Sequence, residues 1–445
     1  MSTSIDELEH EDSRRWLMPS DKMSPPSFLE SSRGRQGTIT RKDMTSNAAV
    51  VVLALSLQGC SGAAPDRSEA PPRLDDGWDT AAPAEVQIDE RAVRTLLKQL
   101  AAGRSPNVHS LLLARNGRLV VEAYFPGEDS GGQQRAFDRE RLHEQHSVTK
   151  SVTAILLGIA IDRHLIAGPD ARLSAFFPEM PGLATDPTRS TIRLRDCLTM
   201  TAGLAWDEWQ YPYSDPRNVL VAMNHTADPV RYVLDRPAVA TPGAHFAYNG
   251  GLSLVLGEVV HRVSGLQTDA FADRYLFAPL GITAWSWERL KGETVNAGGG
   301  LSLRPRDMAK IGQLVLDGGR WQGRQIVSSA WVRESTEPRV RDLPSPFSWW
   351  MRPGLWVARN LGWIVQNPDG YGYHWWHRTF HSRGRALPAY AAEGRGGQFI
   401  LVVPDLRLVA VFTGWNDTLR SSPIRMFEQR ILPAVDEGGL TLGMK

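Results

Sequence analysis

The sequence predicts an α/β protein. An antiparallel sheet built from both ends of the chain, flanked by N- and C-terminal helices, carries an inserted, mainly helical domain. Three observations predict it. Asn116-Gly117 lies between two β-rich runs in His109–Phe125, the strongest short-range hairpin signal. Between Ser147 and Leu290 the long apolar runs, Val152–Ile161 and Leu252–Val263, have helical length. β character returns in Phe399–Val403 and Leu406–Thr413, with Pro404-Asp405 as the turn between them. Strands at both ends around a helical middle place both termini in one sheet.

Composition bounds the rest. The 445 residues suggest two or three domains at about 150 residues each. Lys+Arg 50 against Asp+Glu 49 leaves a net charge of +1, so no strong field recruits nucleic acid. Two cysteines, Cys60 and Cys197, exclude a disulfide-rich scaffold and a four-cysteine zinc site. No apolar run reaches the roughly 20 residues that span a bilayer as a helix. The basic residues divide into 43 Arg and 7 Lys, so a Lys in a special place is informative.

Taken in order, residues 1–60 read as a leader. The first 43 are polar. Ala48–Leu57 is apolar, follows Arg41 and Lys42, and ends in Leu57-Gln58-Gly59-Cys60. The run matches a signal-peptide core and is too short to cross a membrane. Leu-x-Gly-Cys resembles the lipobox of bacterial lipoproteins, in which the Cys is lipidated and becomes the new N-terminus. The expectation is a lipid-anchored protein of the bacterial cell envelope, facing the periplasm, translated from Met1 or Met44. Ser61 then hints at outer-membrane sorting. The alternative is a buried strand with an incidental Cys. Residues 61–86, rich in Ala, Pro and Asp, read as a flexible tether.

Folded structure is expected from near Asp89, with an α/β sheet domain over 87–146 and 291–440 and a mainly helical domain over 147–290. Asp89 can cap a helix carrying Val93, Leu96, Leu97 and Leu100 on one face, with Ile88 and Val93 as a hydrophobic staple. Gly265 sits where the Leu252–Val263 helix would end. A last helix opens at Ser422-Pro423, a cap followed by Pro at the first helical position, and runs to about Leu432.

Ser147-Val148-Thr149-Lys150 is the sole Ser-x-x-Lys of the chain and opens a helix whose next turns are apolar. Positions three apart share a helix face, so the amine can reach the hydroxyl. Burial disfavours the charged amine and makes it a base, which a guanidinium cannot become. A solvated Lys at a helix start is the plainer alternative. Tyr248, in HFAYNGG, is a second candidate, because a phenol near a cation loses its proton more easily and can relay protons. Gly394-Arg395-Gly396-Gly397-Gln398, just before the Phe399 strand, is a third. Its glycines let a substrate lie against a strand edge, and its N–H groups can hold an oxyanion; a permissive turn is the alternative.

Other constellations fail. There is no Gly-x-Ser-x-Gly elbow and no phosphate loop. His143/His146 and His374/His377/His381 imitate metal spacing without an HExxH, and no metal is expected. Cys197 reads as an inert core residue. The 15 Trp residues, Trp349, Trp350, Trp375 and Trp376 among them, could line a pocket or fill a core.

The order of Ser-x-x-Lys, Tyr and a Gly-rich strand start resembles the serine β-lactamase and penicillin-binding superfamily. The likeness is strongest to the class C β-lactamase-related serine hydrolases, with 6-aminohexanoate-dimer hydrolase and esterase-like members. It runs from roughly Val108 to Leu432. HSVTKSV, IRLRDCLTMTAGLAWDE, PGAHFAYNGG, AGGGLSLRPRDMAKIGQLVLDGGRW and AEGRGGQFILVVPDLRLVAVFTG carry it in family order.

The resemblance implies a β-lactamase/transpeptidase-like fold with the site between sheet and helical domain. It implies Ser147 as the acylated nucleophile, Lys150 as its base partner and Tyr248 as proton relay. The backbone N–H groups of Ser147 and Arg395 would form the oxyanion hole, and Asn249, Gly394 and Gly396 would contact substrate. Two departures stand out. The family's Tyr-x-Asn reads Tyr248-Asn249-Gly250, and the third motif lacks the Lys or His that precedes Thr-Gly in β-lactamases and peptidases. The expected function is hydrolysis of a small ester or amide without cofactor or metal, with membrane contact only through a lipid anchor. An esterase or amidase is favoured over a true β-lactamase. A non-catalytic or penicillin-binding envelope protein using the same cleft is the alternative.

Overall fold

The computed structural model describes residues 70–103, 107–341, 343, 368–416 and 423–435. Cys60, Trp349, Trp350 and Ser422, and the readings placed on them, lie outside the described residues.

Along the chain, β1 (Asp79–Thr80) leads into α1 (Glu90–Ala101) and then the hairpin of β2 (Val108–Arg115) and β3 (Arg118–Tyr124). A short β4 (His143–Glu144) precedes α2 (Val148–Asp162), and α3 (Gly250–Ser264) is the other long helix of the middle. Strands β5 (Trp285–Trp287) and β6 (Leu301–Leu303) come before α4 (Pro305–Leu316). The sheet resumes with β7 (Gly370–Tyr371), β8 (Trp376–Ser382), β9 (Arg385–Gly394), β10 (Gln398–Val403) and β11 (Leu408–Gly414). The closing helix α5 (Pro423–Met426) continues through Phe427–Ile431 and Leu432–Ala434.

The main sheet has eight strands in the order β1-β3-β2-β11-β10-β9-β8-β7, antiparallel except for β1 on β3. The N-terminal hairpin therefore meets the C-terminal strand at the sheet centre, Ala114 opposite Val409 and Leu112 opposite Val411. Asn116 and Gly117 take φ of 53° and 78°, the pair of positive values that a tight two-residue hairpin needs. Asp89 caps α1 by accepting the N–H groups of Arg91 and Ala92, as its sequence position suggested.

Every residue of β2, β10 and β11 is buried, because helices cover both faces of the sheet. Successive side chains alternate between two cores. Leu111, Leu113, Leu401 and Phe412 join Val93 and Leu96 of α1 and Phe427 of the closing helix. Leu112, Ala114, Ile400 and Val409 join α2 and α4. Each buried Leu, Ile, Val or Phe among them contributes about 1.5–3 kcal/mol by leaving water. On α4, a Cβ at Gly312 would lie 2.5 Å from Val409 Cγ1, so glycine permits the helix to sit this close to the sheet. Helix α2 is buried from Val148 to Ala160, and this apolar shaft fixes the element that follows Ser147. Among the described residues no helix is long and apolar enough to cross a membrane.

Three expectations are corrected. The folded chain begins before Asp89: within the stretch read as a tether, Trp78 is 2% exposed and meets Trp321 edge-on at 5.0 Å. Arg306, paired with both Asp76 and Glu122, pins the same segment. Strand β11 begins at Leu408 rather than Leu406, because Pro404–Leu406 forms a helical turn closed by Arg407 at φ 46°. Within the stretch read as helical, β5 pairs with β6, which also pairs with β4 and so braces the turn before Ser147.

Candidate active site

Ser147 stands at a sharp strand-to-helix turn. Gln145 donates its N–H to Leu301 O at 2.8 Å, tying the end of β4 to β6. His146 then reverses the chain at φ 46°, a left-handed conformation that costs a non-glycine residue about 1–2 kcal/mol. The N–H groups of Val148 and Thr149 bond back to Gln145 O and His146 O, starting α2 with Ser147 at its N-cap.

One helical turn on, Lys150 is 2% exposed, carried inward by the apolar helix. Its Nζ lies 3.0 Å from Ser147 Oγ, donates to Gly298 O at 2.5 Å, and sits 5.2 Å from the centre of the Tyr248 ring. Burial pulls the amine down to about 8, against the opposing charge of Glu208. Tyr248, about a hundred positions away in sequence, thus comes together with Ser147 and Lys150.

Tyr248 is buried, lies near enough to the Ser147 hydroxyl to be influenced by it, and stacks nearly parallel to Trp209 and Trp376 at 5.4 and 5.7 Å. The sequence suggested a phenol acidified by a neighbouring cation. The opposite holds: burial first, then the charge of Glu208, push the phenol well above its ordinary value, so it is a neutral hydroxyl. Trp376, singled out for a pocket, does reach the site, whereas Trp375 is a core residue.

Asn249, expected to contact substrate, has a structural task. Its side-chain oxygen accepts the Leu252 N–H at 3.2 Å as the N-cap of α3, and the residue is 2% exposed. It caps the helix behind Tyr248. Sequence reasoning passed over Glu208, a buried carboxylate that accepts the Gly250 N–H at 2.6 Å. The signal available was an acid among aromatic residues, Trp206-Asp207-Glu208-Trp209.

The Gly-rich segment is a hairpin turn joining β9 to β10 rather than a simple strand start. Close approach demands glycine twice. A Cβ at Gly394 would lie 2.3 Å from Gln145 O, which brings this strand end beside the Ser147 turn; one at Gly396, φ 81°, would strike Trp415 at 2.5 Å. Arg395 is exposed, and its guanidinium lies 5.4 Å from the Tyr213 ring and 5.1 Å from that of Trp415. Glu393 is held by Arg378 through bonds of 2.6 and 3.0 Å.

The histidines with metal-like spacing have other partners. His143 bonds His109 at 2.8 Å, and His374 bonds Ser253 at 3.0 Å, its ring pushed down to about 3 by burial and by Lys150. Among the described residues no group of three or more His, Cys, Asp or Glu is arranged to hold a metal ion. Cys197 is fully buried.

A hydroxyl, a buried amine and a neutral phenol gathered in one place can move a proton off oxygen without exposing charge to water. The chain matches the Beta-lactamase family model over residues 93–418. The chain belongs to the beta-lactamase family. Relatives in that family include the 6-aminohexanoate-dimer hydrolase of Paenarthrobacter ureafaciens, 27% identical over 357 residues, covering 76% of this chain and 81% of that enzyme. The lovastatin esterase of Penicillium rubens is 27% identical over 234 residues, covering 46% of this chain and 56% of that enzyme. Among solved structures, simvastatin synthase from Aspergillus terreus shares the fold with a TM-score of 0.54 at 19% identity, covering 77% of this chain and 97% of that one. Family and relatives assign this beta-lactamase-family chain to the hydrolases.

Proposed function

We propose that this protein hydrolyses an ester or amide bond of a small molecule through an acyl-enzyme on Ser147. The observation that carries the reading is the 3.0 Å contact between Ser147 Oγ and the buried Lys150 amine. Neutral Lys150 takes the Ser147 proton as Oγ attacks the carbonyl carbon. As the bond to the leaving atom breaks, Tyr248 gives that atom its proton and is reprotonated from Lys150. Water then repeats the sequence on the acyl-enzyme and releases the acid. The backbone N–H groups of Ser147 and Arg395 are the proposed oxyanion hole, supported by the packing of Gly394 against Gln145.

An ester or short amide suits the site better than a β-lactam. The third motif carries no Lys or His to hold a substrate carboxylate, and its acid, Glu393, is paired with Arg378. The leader supports a second part of the reading, a mature protein lipidated at Cys60 and held in the cell envelope. The deciding experiment for the reaction is covalent labelling by a fluorophosphonate probe. Stoichiometric modification at Ser147 is expected; no labelling, or labelling that survives Ser147→Ala, would refute the assignment.

A further inference from the structure

We propose that Glu208 is a positioning residue of this site: its buried carboxylate anchors the first turn of α3 behind Tyr248 and supplies a fixed negative charge to the Ser147–Lys150–Tyr248 group. The inference rests on the reading of Ser147 as nucleophile and Lys150 as its base.

The carboxylate is built in. Glu208 is 2% exposed. Its Oε2 accepts the Gly250 N–H at 2.6 Å and the Trp206 indole N–H at 3.1 Å, and its Oε1 accepts the Tyr213 hydroxyl at 2.9 Å. Two of these donors come from its own loop and one from the start of α3, two residues after Tyr248. The loop itself is fastened by Asn218, whose amide donates to Glu208 O at 2.8 Å. A Cβ at Gly250 would lie 3.1 Å from Glu208 Oε2 and 2.9 Å from Leu220 Cδ1, so glycine lets the amide come this close. The N-terminus of a helix favours a negative charge.

All three partners are neutral donors, so the charge is not cancelled where it sits. Lys150 and Tyr248 both feel it, and it raises the proton affinity of each. The other groups around them are accounted for. His374, behind Lys150, is held neutral, and Tyr213 and Tyr371 are phenols kept protonated by burial. Glu393 also acts on Tyr248 but is paired with Arg378, and Arg395 lies on the Tyr213 ring. Glu208 therefore opposes the desolvation of Lys150 and keeps its amine from becoming too weak a base.

The test is the pH dependence of fluorophosphonate labelling and of p-nitrophenyl butyrate hydrolysis. It compares the intact chain with Glu208→Gln, Glu208→Ser and Glu208→Asp. In the two neutral variants the acid limb is expected to move down by about one pH unit, because the amine loses a stabilising charge. Glu208→Asp, which keeps the charge, should leave the limb in place even where the rate falls. A limb that stays put in both neutral variants while rates drop at every pH would reduce Glu208 to a tether and overturn the inference. Loss of the fold in both neutral variants would assign the carboxylate to stability and overturn it as well. Failure of the underlying reading shows separately, in the unmutated chain, as a missing acid limb.

Discussion

Gly298 holds the Lys150 amine on its carbonyl oxygen at 2.5 Å and leaves no room for a side chain beside the backbone of Gly250. A Cβ there would lie 2.7 Å from Gly250 O, closer than real contacts allow. Gly298→Ala must therefore move the segment that orients Lys150. Overpacking of this kind costs about 1–3 kcal/mol. A lower melting temperature together with a fall in kcat is expected, with KM less affected. Unchanged kcat would show that the Gly298 carbonyl does not orient the amine.

Ser147→Ala should remove turnover, by about 10⁴-fold or more, and leave the fold intact by circular dichroism. Lys150→Arg should be nearly as damaging, because a permanent cation cannot accept the proton. Nucleophile and base act as one unit, so their separate losses should be similar in size. Full activity in the Arg variant would remove Lys150 from the mechanism.

The lowered amine of Lys150 gives the activity a sign with pH. The base form is the neutral amine, which is lost as pH falls below about 8. From there kcat/KM for p-nitrophenyl butyrate, corrected for spontaneous hydrolysis, should drop by about tenfold per unit. A flat profile across roughly pH 6 to 9 would be inconsistent with Lys150 as the base.

Nitrocefin should be a poor substrate beside p-nitrophenyl butyrate or a short linear amide. A charge-assisted bond to the β-lactam carboxylate is worth about 1.5–3 kcal/mol, roughly 10- to 150-fold in binding. Here the nearby acid is already committed to Arg378. Arg395 is the side chain that could compensate. Efficient nitrocefin hydrolysis, selectively lost in Arg395→Ala, would trace the error to that guanidinium.

The envelope reading predicts that the mature chain starts at Cys60 and fractionates with membranes. Cys60→Ser should release the protein or leave it unprocessed. Recovery of residues 1–59 on a mature cytosolic protein would contradict it.

Local chemistry made much of this molecule legible. The Asp89 cap, the Asn116-Gly117 hairpin and the Ser147/Lys150 spacing each depend on neighbours within four positions, and sequence displays such neighbours directly. What escaped depends on distant partners. Glu208 is defined by Gly250, 42 positions away, and Trp78 is ordered beside Arg306, which bonds Asp76 across 230 positions. Asn249 resembled a displaced family residue because its spacing to Tyr248 was visible while its cap on Leu252 was not. The Tyr248 phenol was misjudged for the same reason: a cation nearby could be guessed, but the completeness of its burial could not.

The pairing of β2 with β11 also governs when this protein can act. Ser110 meets Thr413 across 303 positions, so the middle of the sheet waits for nearly the whole chain to be synthesised. Such long-range pairing folds slowly, because the loop must close before any contact stabilises it. The Ser147 turn waits too, since Gln145 leans on Leu301 and on Gly394. On the proposed reading a nascent chain therefore carries Ser147 without a working site, and a chain ended at Val403 should leave β2 and β10 as open edges and take up no fluorophosphonate. The enzyme stays silent until its last strand arrives.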